Sequence, residues 1–194
     1  SPAGTLASTA ISADAGHFSI VSWTGNETTN QTVGHGLGGT PEMIIAIAGN
    51  ESGENKPVYH KDIITADTDH IKINESNAKG TAGTTIWDVS AMSSTLFGVG
   101  AAVQSNSENG MIAYLFRSVP GGCKGGSYIG NSDDNGPYVH LGFKPRWWIV
   151  KETTITDASH VWYVADSARY TYNGTTTAGG ANGGTLEANA TTAE

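Results

Sequence analysis

Charged side chains are scarce in this sequence. They make up 14% of its 194 residues, and acidic ones outnumber basic ones to give a net charge of −8. A nucleic-acid-binding protein needs a basic face to neutralise phosphate groups, so this balance argues against nucleic acid as a partner. Gly, Ser, Thr and Asn fill much of the remainder, and such a polar, weakly charged surface is common in particle proteins and secreted assemblies.

Cysteine and long apolar runs are scarce as well. Cys123 is the single cysteine, which excludes an intrachain disulfide, and a chain of this length builds a core without one. No run approaches the roughly 18 apolar residues of a membrane span. The sequence opens without methionine or a signal peptide, so we interpret it as a mature product, a processed fragment or a piece of a longer chain.

Helical periodicity is a third absence. No window of about 12 residues repeats apolar side chains at helical spacing without an intervening glycine. Short β-branched and aromatic runs stand instead between clusters of Gly, Ser and Asn, which predicts strands joined by turns. These runs cover residues 17–23, 42–48, 70–76, 84–90, 95–103, 110–119, 127–131, 137–143, 145–152 and 159–166. We therefore predict an all-β protein with a jelly-roll-like β-sandwich.

An internal repeat organises these strands. Residues 22–26 align with 127–131, residues 33–41 with 139–145, residues 42–45 with 146–149, residues 58–61 with 162–165, and residues 71–74 with 186–189. In each copy an aromatic strand ends at Gly-Asn, where positive φ costs little, and a later proline precedes a core strand. The predicted organisation is an N-terminal arm over 1–16, a first β repeat over 17–119, a Gly-rich linker over 120–126 and a second, shorter β repeat over 127–194.

The second repeat is incomplete beside the first. The first continues past residue 74 into strands that carry Trp87, Phe97 and residues 111–119, whereas only five residues follow Asn189. Three explanations stay open: the chain is a fragment, the N-terminal arm folds back to fill the gap, or a neighbouring subunit donates the missing strand. The third explanation predicts a polymer.

Six phrases follow in a recognisable order over residues 16–194. They are FSIVSWTGN, VGHGLGGTPEMIIA, VYHKD, IAYLFRSVPGGCKGGSYIGN, GPYVHLGFKPRWWIVKE and WYVADSARYTYN. In this respect the chain resembles a repeat domain found in tail-fibre and other virion proteins of marine bacteriophages. In that family the second copy runs on to its own final strands, and this chain departs from the pattern there. The resemblance implies a virion surface or tail component without enzymatic activity, and it brings no set of binding residues.

Residues that could carry chemistry form no catalytic or cofactor-binding constellation. The six histidines include no HExxH pair, and no serine lies in a G-x-S-x-G elbow. One acidic loop has oxygen ligands at close spacing, in Asp133, Asp134 and Asn135, but lacks the closing Glu of an EF-hand. A hairpin turn uses the same residue types, so these three are Ca²⁺ candidates beside that structural interpretation. We predict no other cofactor.

Aromatic side chains and glycosylation acceptors are the remaining candidates. Trp147 and Trp148 are adjacent, so on a strand they face opposite ways. Either one faces the core and the other is available for a glycan or subunit contact, or both are buried between layers. Trp162 and Tyr163 pose the same choice. The N-x-S/T acceptors are Asn26, Asn30, Asn50, Asn74, Asn173 and Asn189. A glycosylated extracellular filament would use them, and a phage protein is not expected to.

Together these patterns favour a non-enzymatic structural subunit of a virion, on the phage tail or capsid exterior. It is predicted to assemble with copies of itself and with other particle proteins, and to contact surface polysaccharide of the host. The alternative is a subunit of an extracellular filament or pilus, polymerised by β-strand donation. A carbohydrate-acting enzyme is the minor alternative.

Overall fold

The computed structural model describes residues 4–12, 16–50, 53–133, 135–155, 161–168 and 185–187, and for residues 12 and 185–187 it describes the backbone alone. The strands within these ranges are β1 (Ser8–Ser12), β2 (Phe18–Trp23), β3 (Gln31–Gly34), β4 (Met43–Ala48), β5 (Pro57–His60), β6 (Asp69–Lys72), β7 (Gly80–Thr81), β8 (Trp87–Asp88), β9 (Leu96–Val99), β10 (Met111–Phe116), β11 (Trp147–Lys151), β12 (Trp162–Asp166) and β13 (Thr185–Glu187). A 3-10 turn at Val89–Ala91 and one helical turn at Val103–Asn106 complete the described elements.

Two antiparallel sheets form the first repeat. The larger has seven strands in the order β1-β2-β10-β4-β5-β6-β7, and the smaller has three in the order β3-β9-β8. β10 lies between β2 and β4 and pairs with both over six residues, so the last strand of the repeat joins the first strands to the rest of the sheet. The order mixes neighbours that are distant in sequence, as expected for a sandwich.

The core lies between these two sheets because side chains alternate along each strand. Along β10 every second residue is buried, and Leu115 is fully so. Trp23 of the larger sheet meets Phe97 of the smaller one edge-on, with the ring centroids 5.4 Å apart. Aromatic rings favour this geometry, which adds to the free energy gained by burying them. Tyr59 and Trp87 make a second edge-on pair across the sheets, at 5.8 Å.

The second repeat contributes a three-stranded antiparallel sheet, β11-β12-β13. Its strands align in sequence with β4, β5 and β6, which pair in the same antiparallel order. Trp162 attaches this sheet to the first repeat. Its side chain is 3% exposed, and its Nε1 donates a hydrogen bond of 2.7 Å to the Lys72 carbonyl oxygen.

The predicted all-β, sandwich-like class is confirmed, and the strands expected near residues 17–23, 42–48, 110–119 and 145–152 are present. Residues 1–16 were expected as an arm, and the part of them that is described includes β1, which pairs with β2 of the first repeat. In this structure β1 therefore does not fill the gap in the second repeat.

Two strand predictions are wrong. Residues 127–131 and 137–143 have no strand pairing and are largely exposed. In the first repeat the aligned segments belong to β2 and β3, which are held by β10 and β9. The described part of the second repeat contains no counterpart of β9 or β10, so these segments have no ladder to join. Among the described residues, no helix is long and apolar enough to cross a membrane.

Candidate functional site

Large apolar side chains are exposed mainly in the second repeat. The exposed set is Ile11, Tyr128, Ile129, Tyr138, Val139, Trp147, Trp148 and Ile155. All except Ile11 lie beyond the Gly-rich linker. Exposed apolar groups scattered singly are ordinary, but their concentration in one part of a chain is typical of an interaction surface.

In the repeat alignment, three of these exposed side chains correspond to residues that are buried in the core of the first repeat. Tyr128 is 52% exposed and aligns with Trp23, which is 4% exposed. Val139 and Trp148 are 46% and 39% exposed, and their counterparts in the first repeat are both fully buried. Gly142 supports the alignment, because it has φ of +81° where its counterpart Gly36 has +64°.

In the first repeat, β9 and β10 cover these positions. Phe97 of β9 contacts Trp23 and is paired with Val33, the counterpart of Val139. Leu115 of β10 is paired with Ile44, the counterpart of Trp148. The exposed side chains of the second repeat are thus the ones that a β9- and β10-like pair of strands would bury.

A strand edge is open at the same place. β4 has a neighbour on each side, β10 and β5, whereas β11 pairs only with β12 among the described residues. The missing neighbour is the counterpart of β10. An edge of five residues without a partner strand is a template for pairing with another strand.

The two faces of the β11-β12 sheet differ in what they contact. Trp147 stacks on Phe116 of the first repeat, with ring centroids 6.5 Å apart, and Ile149 packs against the core cluster. Trp162 lies on the same face, because Lys151 and Trp162 are opposite each other in the register. Trp148 and Val150 point to the other face. That face corresponds to the core face of β4.

The structure shows which of the predicted aromatic candidates are buried and which are exposed. Trp162 is buried, whereas Trp147 and Trp148 are both exposed to more than a third of their surface, so neither of the adjacent pair fills a core. Tyr163 is half-buried. Trp147 and Trp148 therefore remain the candidates for a glycan or subunit contact.

The predicted Ca²⁺ candidates lie in an exposed turn. Asp133 Oδ1 accepts a hydrogen bond of 2.8 Å from the Asn135 backbone N–H, and Asn131 Nδ2 donates to the Asn135 carbonyl. Asp134 lies outside the described residues. Among those described, no three His, Cys, Asp or Glu side chains are placed to hold a metal ion. The turn is explained by its own hydrogen bonds.

Four of the glycosylation acceptors can be placed. Asn26, Asn30, Asn50 and Asn74 are all exposed in loops of the first repeat. Asn173 and Asn189 lie outside the described residues. Exposure is a condition for modification, so these four asparagines are accessible acceptors.

Glu42 holds the start of β4 to the beginning of the linker. Its carboxylate accepts hydrogen bonds from Lys61 Nζ at 3.1 Å, from the Ser118 backbone N–H at 3.1 Å and from the Ser118 hydroxyl. Burial acts to raise the pKa of Glu42, but these hydrogen bonds outweigh it and lower the pKa. The pKa of nearby Cys123 is raised, mainly by burial, which favours the unreactive thiol.

Three buried polar side chains have structural explanations. His35 accepts a hydrogen bond from the Leu37 N–H at Nδ1, 3.0 Å away. Asp69 accepts bonds from Thr65 and Ala66, and Asn106 ties two loops together. Sequence reasoning missed the burial of Asp69 and Asn106, because each bonds to groups that only the tertiary fold or a local turn brings near.

The fold and these surfaces define a class: a two-repeat β-sandwich whose second repeat exposes a core face and a strand edge. Comparison with known families gives the assignment. Residues 2–194 match the family described as Domain of unknown function (DUF7483), and the chain belongs to that family. No curated protein and no solved structure matches the chain.

Proposed function

We propose that this protein is a non-catalytic structural subunit of a virion exterior, on a phage tail or capsid, and that it assembles with copies of itself. The observation that carries the assembly role is the exposure of Tyr128, Val139 and Trp148 at positions whose counterparts are buried in the first repeat. The virion location is supported by the resemblance in sequence to tail-fibre and virion repeats.

Leaving these apolar side chains in water costs free energy. Burying one large apolar side chain contributes about 1.5–3 kcal/mol, so covering several of them yields a substantial driving force for association. Association must also offset the loss of translational and rotational freedom, which costs several kcal/mol. A contact that combines this apolar burial with a strand ladder is stabilised both by the burial and by the backbone hydrogen bonds of the ladder.

The test is the assembly state of the purified chain, measured by size-exclusion chromatography with light scattering over a range of concentrations. We expect discrete multimers without added glycan mass. Substitution of Val139 by Ser is expected to weaken assembly, because it removes apolar area at a position that is 46% exposed in the monomer. A chain that stays monomeric at every concentration would contradict the proposal.

The second candidate is a subunit of an extracellular filament or pilus. The exposure of Asn26, Asn30, Asn50 and Asn74 favours it, because each of these sequons is accessible. Intact-protein mass spectrometry of material from the native source separates the two. Glycan mass on an open-ended polymer supports the filament, and the bare polypeptide mass in a discrete multimer supports the virion subunit.

A further inference from the structure

Strand edges in a β protein are protected unless they are used, and most edges of the first repeat are protected here. β7 and β8 are edge strands of two residues each. β3 is approached by Leu6, which forms a parallel bridge to Val33. Shortness and coverage are two of the ways in which natural sheets avoid unintended pairing.

β1 is an edge strand without such protection. It runs over five residues, pairs only with β2 among the residues that the structure describes, and contains no charged side chain and no proline. Ile11 on this strand is 72% exposed, the only large apolar side chain outside the second repeat that is exposed to this degree among the described residues. An uncharged edge with an exposed isoleucine is suited to adding a further strand.

β11 is the matching edge on the second repeat. It also runs over five residues, and its first four, Trp147 to Val150, are uncharged. The charged group at its end, Lys151 Nζ, is directed to the Ser76 carbonyl oxygen at 3.0 Å. β4, the counterpart of β11, has β5 on one side and on the other β10, an antiparallel strand with alternating apolar side chains. Among the described residues β11 has no strand on the side that corresponds to β10.

We propose that β1 of one copy pairs antiparallel with β11 of the next copy, which joins the large sheet of one subunit to the second-repeat sheet of its neighbour. This inference rests on the proposed assembly function and names the two surfaces that carry it. β1 stays paired with β2, so no strand has to leave its own subunit. The neighbour's Ile11 side chain adds apolar contact at the sheet edge beside Trp148 and Val150.

The two edges differ, and this determines the type of contact between subunits. Each subunit offers one β1 and one β11, so the contact is heterologous, head to tail. Such contacts close into rings when the rotation allows it and otherwise extend into filaments. A symmetric dimer, joined through two β11 edges or through two β1 edges, would not contain the proposed β1-β11 contact.

Lysine substitutions at the two edges test the pairing. Ile11→Lys and Trp148→Lys each place a charge at one edge, as natural edge strands do to prevent pairing. Each variant is expected to raise the apparent Kd of self-association by about tenfold or more, which corresponds to about 1.4 kcal/mol. Ile155→Lys is the matched control, because Ile155 is 49% exposed but lies outside both strands. Far-UV circular dichroism and Tm check that all variants fold.

Mixing the two edge variants gives the decisive result. Ile11→Lys retains an intact β11, and Trp148→Lys retains an intact β1. In an equimolar mixture, β1 of the Trp148→Lys variant can therefore pair with β11 of the Ile11→Lys variant, and no other β1-β11 pair is intact. We expect a 1:1 dimer in the mixture and no larger species, as measured by light scattering. Because Ile11 is 72% exposed, Ile11→Lys is expected to fold normally. The effect of this single variant on self-association therefore tests the pairing even where Trp148→Lys lowers Tm.

The failure of this inference is distinguishable from that of the proposed function. Wild-type protein that assembles while Ile11→Lys assembles equally well overturns the β1-β11 pairing and leaves the assembly function standing. A mixture that stays monomeric, or single variants that still dimerise as strongly as wild type, also overturns the head-to-tail pairing. A wild-type chain that never associates overturns both.

Discussion

At the scale of single residues, buried polar side chains hold the loops of the first repeat. Asn106 is fully buried, and its Nδ2 donates to the Thr28 carbonyl at 3.0 Å and the Gly100 carbonyl at 2.8 Å. Its Oδ1 accepts from the Asn26 N–H at 3.2 Å. One amide side chain thus satisfies three backbone groups on two separate loops, and that arrangement cannot be read from the sequence around residue 106.

Removal of this amide is expected to destabilise the protein. Asn106→Ala leaves the carbonyls of Thr28 and Gly100 without their donor, and each buried unsatisfied group costs about 1–3 kcal/mol. We expect the urea midpoint to fall accordingly, with little change in the m-value. Glu108→Ala is the control, because Glu108 is exposed two residues away. Equal stability of the two variants would contradict the role given to Asn106.

His35 makes stability depend on pH. Burial lowers its pKa below 6.5, and the hydrogen bond to the Ser93 carbonyl acts in the opposite direction. The ring accepts the Leu37 N–H at Nδ1, so the neutral form fits the fold and the unfolded chain takes up a proton first. Its contribution to stability is therefore complete above pH 6.5 and is lost as pH falls from there through the lower folded pKa. Burial also lowers the pKa of His60 and His70, which adds to the same trend.

The measurement is the free energy of unfolding between about pH 8 and about pH 5, which is about 1.5 pH units on either side of the ordinary histidine pKa of 6.5. Wild-type stability is expected to decline on the acid side. Ile129→Gln, which changes an exposed side chain without a titratable group, should leave the slope unchanged. His35→Gln should reduce the slope, and an unchanged slope in that variant would show that the buried ring is not the cause.

At the scale of elements, local pattern predicted strands where partners exist within the chain. β2, β4 and β10 were predictable because apolar and β-branched residues recur between turn signals. The irregular segments near Tyr128 and Val139 have the same local pattern, yet they form no strand. Strand formation depends on a neighbour to complete the ladder, and a single sequence does not state which neighbour is present. The incomplete second repeat predicted a missing strand, but that the position beside β11 is the open one became visible only in the structure.

In the smaller sheet, two backbones approach each other so closely that one position accommodates only glycine. Gly98 on β9 lies opposite Asp88 of β8, and a Cβ at this position would overlap the Asp88 carbonyl oxygen. Gly98→Ala is expected to lower the free energy of unfolding by about 1–3 kcal/mol, because the two strands must separate. Gly126→Ala is the control, since nothing lies within 4 Å of its would-be Cβ. Thermal unfolding followed by circular dichroism compares the two, and equal Tm values would refute the steric explanation.

At the scale of the whole molecule, we expect the stability of the second repeat to depend on its contacts with the first. Its β11-β12 sheet places Trp147, Ile149 and Trp162 against the first repeat, while the opposite face carries Trp148. The repeat pattern predicted two related units, but their attachment through Trp162 and Ile149, which pack with the core cluster, became visible only in three dimensions. Sequence similarity reports shared strands and does not report how two copies pack.

Loss of the Trp162 anchor is expected to release the second repeat. Trp162→Ala removes a buried indole and its hydrogen bond to Lys72, at a cost of about 3–5 kcal/mol. Limited proteolysis with mass spectrometry of dilute protein should then show early cleavage between residues 145 and 168, while residues 17–119 resist. Trp148→Ala, a change of the same size on the opposite face, should keep the wild-type cleavage rate. Equal rates for both variants would argue against Trp162 as the anchor.

The distribution of the five tryptophans has an optical consequence. Trp23, Trp87 and Trp162 are buried to more than nine-tenths, while Trp147 and Trp148 stand side by side on β11 with 49% and 39% of their surface in water. Emission from a solution of this protein therefore combines a fraction shielded from iodide or acrylamide and a fraction open to it. The open fraction comes from one strand, so collisional quenching reports on whether that strand is covered, without any label or added chromophore.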